Sequence, residues 1–137
     1  MPNRIFLDTS FVVALINEKD QYHEEAEALS YKFENSPLIT TNAILLEIGN
    51  GLAKDHRKEA VETISVLRGS KNVEVVQIGD RLLDDGLEIY RRCTDKKWGL
   101  VDCTSFVVMW ENSVTEALTF DSDFEQAGFM VLKGESK

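Results

Sequence analysis

A chain of 137 residues, 43% apolar and with a formal net charge of −9, is the size of one domain with its own core and has the wrong sign for a general polyanion binder. No apolar run reaches the length of a membrane span, and the start "MPNRIFLD" lacks the pattern of a secretory leader. Two histidines, His23 and His56, and two cysteines, Cys93 and Cys103, without metal-type or redox-type spacing, weigh against a zinc centre, a histidine general base and a disulfide framework; the thiols read as free in a reducing cytoplasm.

In chain order, "RIFL" (4–7) reads as a short buried strand, followed by helix from Ser10 to about Asn17. Tyr22, Ala26, Leu29 and Phe33 recur at spacings of four, three and four, one apolar helix face opposite glutamates. "SPLIT" (36–40) is a strand entered through a proline, and Thr41 or Asn42 suits the N-cap of "AILLEIGNGLAK", a helix weakened by Gly49 and Gly51. "RKEAVETISVLRG" predicts a further helix closing at Gly69, and "VEVVQI" (73–78) a strand. Asp80 is placed to cap a helix running to about Arg92, and "GLVDCTSFVVMWEN" reads as a helix entered near Asp102. "VTEALTF" and "FMVL" close the chain as strands, with 134–137 as a frayed tail. Strands separated by helices predict an α/β domain over 1–137 with a parallel sheet and crossover helices.

Sites in such sheets form past the C-terminal ends of the strands. Asp8 directly follows "RIFL" and Asp121 directly follows "ALTF", within a shared pattern, "FLDTSF" and "TFDSDF"; "LVDCTSF" repeats it with Asp102 near a helix start. One aspartate after a strand is ordinarily a helix cap. Three in one setting point to a common site. Glu47 lies at the border of the apolar face made by Ile44, Leu45, Ile48 and Leu52; read alone it is a solvated glutamate with a buried stem. Converging carboxylates repel, and a divalent cation relieves that repulsion; oxygen ligands of this kind favour Mg²⁺ or Mn²⁺.

The stretches "IFLDTSFVVALI", "TTNAILLEIGNGL", "WGLVDCTSF" and "LTFDSDFEQAGF" together resemble the four acidic motifs of PIN-domain ribonucleases, in particular VapC-type toxins of bacterial toxin–antitoxin systems. Each motif alone is weak, and the ordered set spans nearly the whole chain. The resemblance implies a three-layer α/β/α fold with four to five parallel strands. It implies Asp8, Glu47, Asp102 and Asp121 as catalytic, metal-binding acids, Asp123 as a further acid, and Thr9 and Thr119 as hydroxyls that hold the site. It also implies Mg²⁺- or Mn²⁺-dependent endoribonuclease activity, a homodimer and a small antitoxin partner. An acid cluster without histidine suits metal-assisted hydrolysis by one or two such ions, which would leave 5′-phosphate and 3′-hydroxyl ends.

The basic residues Lys54, Arg57 and Lys58, and Arg91, Arg92, Lys96 and Lys97, read equally as solvated faces or as phosphate contacts on the rims of the cleft, with Trp98 either a base-stacking or a packing residue. Two other classes put aspartates in similar places. A phosphoaspartyl phosphatase wants its D-x-D after the first strand, where Thr9 and Ser10 stand instead; a receiver domain wants an early acidic pair and a late lysine, and neither is clear. A non-catalytic RNA- or protein-binding module would use the acids only as caps.

Overall fold

The computed structural model describes residues 3–134, so the final three residues of the expected frayed tail lie outside the described residues. Gly134 itself is tied down, its N–H donating to Glu25 Oε2 at 3.0 Å.

The elements run β1 (Ile5–Leu7), α1 (Thr9–Ile16), α2 (His23–Lys32), β2 (Leu38–Thr41), α3 (Asn42–Gly51), α4 (Arg57–Gly69), β3 (Val73–Val76), α5 (Asp80–Arg92), α6 (Leu100–Glu111), β4 (Glu116–Leu118), α7 (Asp123–Gln126) and β5 (Met130–Val131). All pairings are parallel, in the order β3-β2-β1-β4-β5, with Ile5 opposite both Leu38 and Glu116. This is the predicted α/β architecture, a five-stranded parallel sheet flanked by helices. β1 is central, and Ile5, Phe6 and Leu7 are all buried, as a strand covered on both faces requires. The chain builds outward from β1 through β2 to β3, then crosses to the other side for β4 and β5. The strand order therefore reverses at β1/β4, and a crevice opens there at the carboxyl ends of the strands.

Two core features fix the walls of that crevice. Phe6 from β1, Phe106 from α6 and Phe124 from α7 are fully buried against one another, Phe106 and Phe124 edge-to-face at 5.1 Å and 87°. Phe124 thus anchors the loop after β4. On the other side α5 packs against α6 through Gly86, where a Cβ would lie 2.6 Å from Thr104 Cγ2 and 3.2 Å from its backbone N. Gly51 serves the same purpose where α3 meets α1, since a Cβ there would stand 3.3 Å from Val13 Cγ2. The glycine that weakens α3 as an isolated helix lets it approach its neighbour.

Several boundaries differ from the sequence expectation, β4 among them, which takes only Glu116–Leu118 of "VTEALTF". Gly79, extended at φ −101° and ψ −162°, is the N-cap of α5; Asp80 is already helical, makes no capping bond, and acts only on the helix dipole. Helix α6 starts at Leu100, two residues before Asp102, because Gly99 takes the N-cap position and Asp102 reaches back to its N–H at 3.2 Å. β3 ends at Val76, and Ile78 leaves the ladder to donate its N–H to Asn42 Oδ1 at 2.7 Å. The single turn of α7 is too short to show helical periodicity in sequence. Thr41 caps α3 as expected, its Oγ1 accepting from Ile44 N–H at 3.1 Å.

Candidate active site

Asp8 leaves β1 at the N-cap position of α1, yet its side chain makes no capping bond. Its Oδ2 instead accepts from Thr119 Oγ1 at 2.6 Å and from Ser10 Oγ at 2.9 Å. The same two hydroxyls reach the loop after β4: Thr119 Oγ1 accepts from Asp121 N–H at 3.0 Å, and Ser10 Oγ accepts from Phe120 N–H at 2.9 Å. The two strand tips are thereby stitched together, and the Asp8 N–H donates to Leu118 O at 3.1 Å to complete the seam. Ser10, unlike Thr9 and Thr119, does not stand out in the sequence; its signal is a hydroxyl two residues after a strand-tip aspartate, in position to bond back to it.

Asp121 and Asp123 are oriented by a local turn in which Asp123 N–H donates to Asp121 Oδ1 at 2.9 Å. Opposite them Asp102 projects from the first turn of α6. One carboxylate oxygen from each of Asp102, Asp121 and Asp123 lies within 4.8 Å of the others. The fourth acid of the predicted quartet comes from α3, where Glu47 Oε1 accepts from Thr9 Oγ1 at 2.7 Å. Asp8, Glu47, Asp102 and Asp121 all line one open cleft of about 810 Å³. Glu47 holds the far wall, together with Asn50 one turn on. The spacing of the chain is thus erased: positions 8, 47, 102 and 121 share one crevice at the strand-order reversal.

The electrostatics of the cleft are unbalanced. Burial pushes the Asp8 carboxyl up to about 6, against the lowering effect of the Thr119 and Ser10 hydroxyls, with Asp121 adding repulsion. Asp102 is pushed up to about 8, first by burial, then by the neighbouring Asp123 and Asp121 carboxylates. Asp121 is raised as well, chiefly by burial. Among the described residues, no lysine, arginine or histidine forms an ion pair with any of these five acids. Buried carboxylates without a counter-ion are costly, and a divalent cation is the group that this donor set of hard oxygens fits.

The basic residues stand apart. Lys54, Arg57, Lys96 and Lys97 do not line the acid cleft. Lys96 and Lys97 border a separate depression with Tyr90 and Trp98. Trp98 is a packing residue in this arrangement, edge-on to Phe106 at 5.1 Å and 78°, with Lys96 Nζ 6.0 Å from its ring centre. Arg91 and Arg92 pair with Glu88 on the surface of α5. Cys93 and Cys103 are free thiols.

Comparison with known proteins agrees with this geometry. The PIN domain family profile matches residues 5–130. The chain is 32% identical over 131 residues to the 23S rRNA-specific endonuclease VapC20 of Mycobacterium tuberculosis, in strains CDC 1551 / Oshkosh and ATCC 25618 / H37Rv, covering 96% of this chain and 99% of the relative. The crystal structure of Mycobacterium tuberculosis VapC20, described as a sarcin-ricin loop cleaving toxin, superposes with a TM-score of 0.85 at 31% identity, covering 95% of this chain and 99% of that one. A matched profile over most of the chain, a relative aligned nearly end to end, and carboxylates gathered at the switch point of a parallel sheet lead to one conclusion: this chain belongs to the PIN-domain family, in its VapC-type branch.

Proposed function

We propose that the chain is a divalent-metal-dependent endoribonuclease that hydrolyses RNA phosphodiester bonds and serves as the toxin of a toxin–antitoxin pair. The observation that carries this reading is the group of counter-ion-free carboxylates in one cleft, in a chain whose relative of nearly equal length is an endonuclease.

In this reading Asp102 and Asp121, whose oxygens lie within 4.8 Å of each other and of Asp123, would hold Mg²⁺ or Mn²⁺, with Asp8 joining them from the same cleft. Bound there, the cation supplies Lewis acidity, acidifying a water and offsetting the charge of the scissile phosphate. Thr119 and Ser10 fix the Asp8 carboxylate so that its oxygens do not rotate away between turnovers. Thr9 holds Glu47 by Oε1, leaving Oε2 free to take a proton from the attacking water. The water oxygen bonds to phosphorus, the P–O3′ bond breaks, and the departing oxygen is protonated from solvent. The products are 5′-phosphate and 3′-hydroxyl ends. Lys54, Arg57, Lys96 and Lys97 lie outside the cleft, where they contact the strand at phosphates removed from the cut. The partners are a structured RNA, a second copy of the chain and a small antitoxin.

The test is cleavage of purified 23S rRNA, and of its isolated sarcin–ricin loop, by the purified chain in Mn²⁺. Cleavage with 5′-phosphate products, lost on adding EDTA, supports the reading. Full activity in excess EDTA, or 2′,3′-cyclic phosphate ends, overturns it.

A further inference from the structure

The acid cleft has one wall that the hydrolysis does not use. Tyr22, just before α2, is 39% exposed, and its ring lies nearly parallel on Phe120 at 4.6 Å and 4°. Phe120 in turn stacks on the buried Phe11 at 5.9 Å and 20°. The stack thus has one end in the core and the other at the surface. Tyr22 and Phe120 line both the acid cleft and a second cleft of about 280 Å³ that continues past Ser122 toward Lys133. The ring sits on the divide between the two.

Three features make this wall a fixed platform. Phe120 is the residue between Thr119 and Asp121, and its N–H is held by Ser10, so the stack and the acid cluster belong to one rigid seam. The loop that presents Tyr22 is closed by its own hydrogen bonds, Lys19 N–H to Asn17 Oδ1 at 3.1 Å and Tyr22 N–H to Asp20 Oδ1 at 2.8 Å. One residue on, His23 Nδ1 lies 2.8 Å from Ala14 O and ties the start of α2 to α1. A ring held this way loses little freedom when a ligand lands on it.

The charge around the platform selects what lands there. Asp20 and Glu25 flank Tyr22, and the nearby Lys133 already faces Glu125 at 3.9 Å. An anionic rim keeps the phosphates of a crossing strand away from the ring itself, so that a base and not the backbone meets it. It accepts a neutral planar ring whose edge carries N–H donors. Resting on the nuclease reading above, we infer that Tyr22 is the stacking platform for one unpaired base of the RNA strand, adjacent to the phosphate held at the acid cluster. The strand crosses the divide with that base laid on the open face of the ring, and the site takes a base that is splayed out of a loop.

The experiment is a binding titration with the full chain. A short single-stranded oligoribonucleotide carries 2-aminopurine at one position, moved along the strand one nucleotide at a time, with Ca²⁺ replacing Mn²⁺ so that the strand stays whole. Wild type, Tyr22→Phe and Tyr22→Trp quench the fluorescence at one register. Tyr22→Ala and Tyr22→Leu lose the quench and bind about tenfold more weakly. The leucine variant still covers Phe120, so a melting temperature near wild type with the quench gone separates stacking from packing. Quenching and affinity unchanged in both variants, or no register quenched by wild type, overturns the inference. Failure of the nuclease reading shows separately, as wild-type binding without cleavage when Mn²⁺ is restored.

Discussion

Two acid-rich regions of this molecule treat the same side chains in opposite ways. On the outer surface of α5 and α6, Glu111 receives a fork of two hydrogen bonds from Arg81, at 2.6 and 3.0 Å, and Glu88 pairs with Arg91 and Arg92. Those arginines hold both glutamates below their usual carboxylate range. At the tips of β1 and β4 and the start of α6, no cation among the described residues pairs with the acids, and the carboxyls of Asp8, Asp102 and Asp121 are driven up. A net charge of −9 is therefore not spread evenly. Glu88 and Glu111 are neutralised by arginines of the same chain, and the cleft acids are not. A deficit of positive charge kept by hydroxyl clamps and buried anchors is what a cation site would require, since a fold selected only for stability would put apolar side chains there.

The largest test breaks the deficit at its centre. Asp121→Asn is expected to lower RNA cleavage about a hundredfold or more while the chain stays folded, because the amide keeps the turn to Asp123 but loses the charge. Glu88→Gln, on the paired surface, is expected to leave cleavage unchanged. Equal losses in the two variants would erase the distinction between the regions.

A second test reads the deficit through pH in EDTA. Asp8 binds its proton more tightly folded than unfolded, so its contribution to stability is complete below pH 4 and is lost as pH rises through about 6. Asp102 extends the loss through about 8. Metal-free protein should therefore melt progressively lower from pH 4 to 9, with up to about 3 kcal/mol of that from Asp8 alone. Asp8→Asn should remove its share, and millimolar Mn²⁺ should flatten the curve by binding only the folded, ionised site. A metal-free stability that rises across this window would show that a cation of the chain neutralises the cleft.

The third test moves the scaffold between the regions. Gly86→Ala places a methyl 2.6 Å from Thr104 Cγ2, forcing α5 and α6 apart, with an expected cost of about 1–3 kcal/mol. Helix α6 carries Asp102 two residues before Thr104, so Mn²⁺ affinity should fall in parallel. Thr104→Ser in the same chain removes the nearest atom and should recover part of both. A variant as stable as wild type, with unchanged Mn²⁺ binding, would show that the helices slide freely at this point.

Features legible in the sequence and features hidden from it differ in physical kind. Strands such as "RIFL" are legible as short continuous apolar runs, and helices such as α3 because apolar residues recur at a fixed period along the chain. The strand-tip acids Asp8 and Asp121 are legible because each ends such an apolar run. Glu47 is not: at the border of a helical face it resembles any solvated glutamate, and only the resemblance of "TTNAILLEIGNGL" to a family motif singles it out. Ser10 and the Tyr22–Phe120–Phe11 stack are tertiary facts, made by the pairing of β1 with β4 across more than a hundred residues. The separation of Lys96 and Lys97 from the cleft belongs to the same class, since adjacency in sequence to Asp102 says nothing of the direction in which α6 leaves its N-terminus.

The smallest effect belongs to the paired surface itself. Arg81→Met removes the fork to Glu111 and the contact with Asp85 at 3.0 Å, all at exposed positions. Exposed pairs gain little in water, because solvent screens the attraction and two long side chains lose freedom to meet. The melting temperature should move slightly and the difference should vanish in high salt, while cleavage stays at the wild-type rate. Arg81 and Glu111 join the start of α5 to the end of α6, the helix whose other end bears Asp102. A large loss of cleavage in Arg81→Met would therefore mean that the pair sets the pitch of α6 and, through it, the position of Asp102. The two acid-rich regions would then be mechanically one, and the surface arginines part of the site they outwardly contrast with.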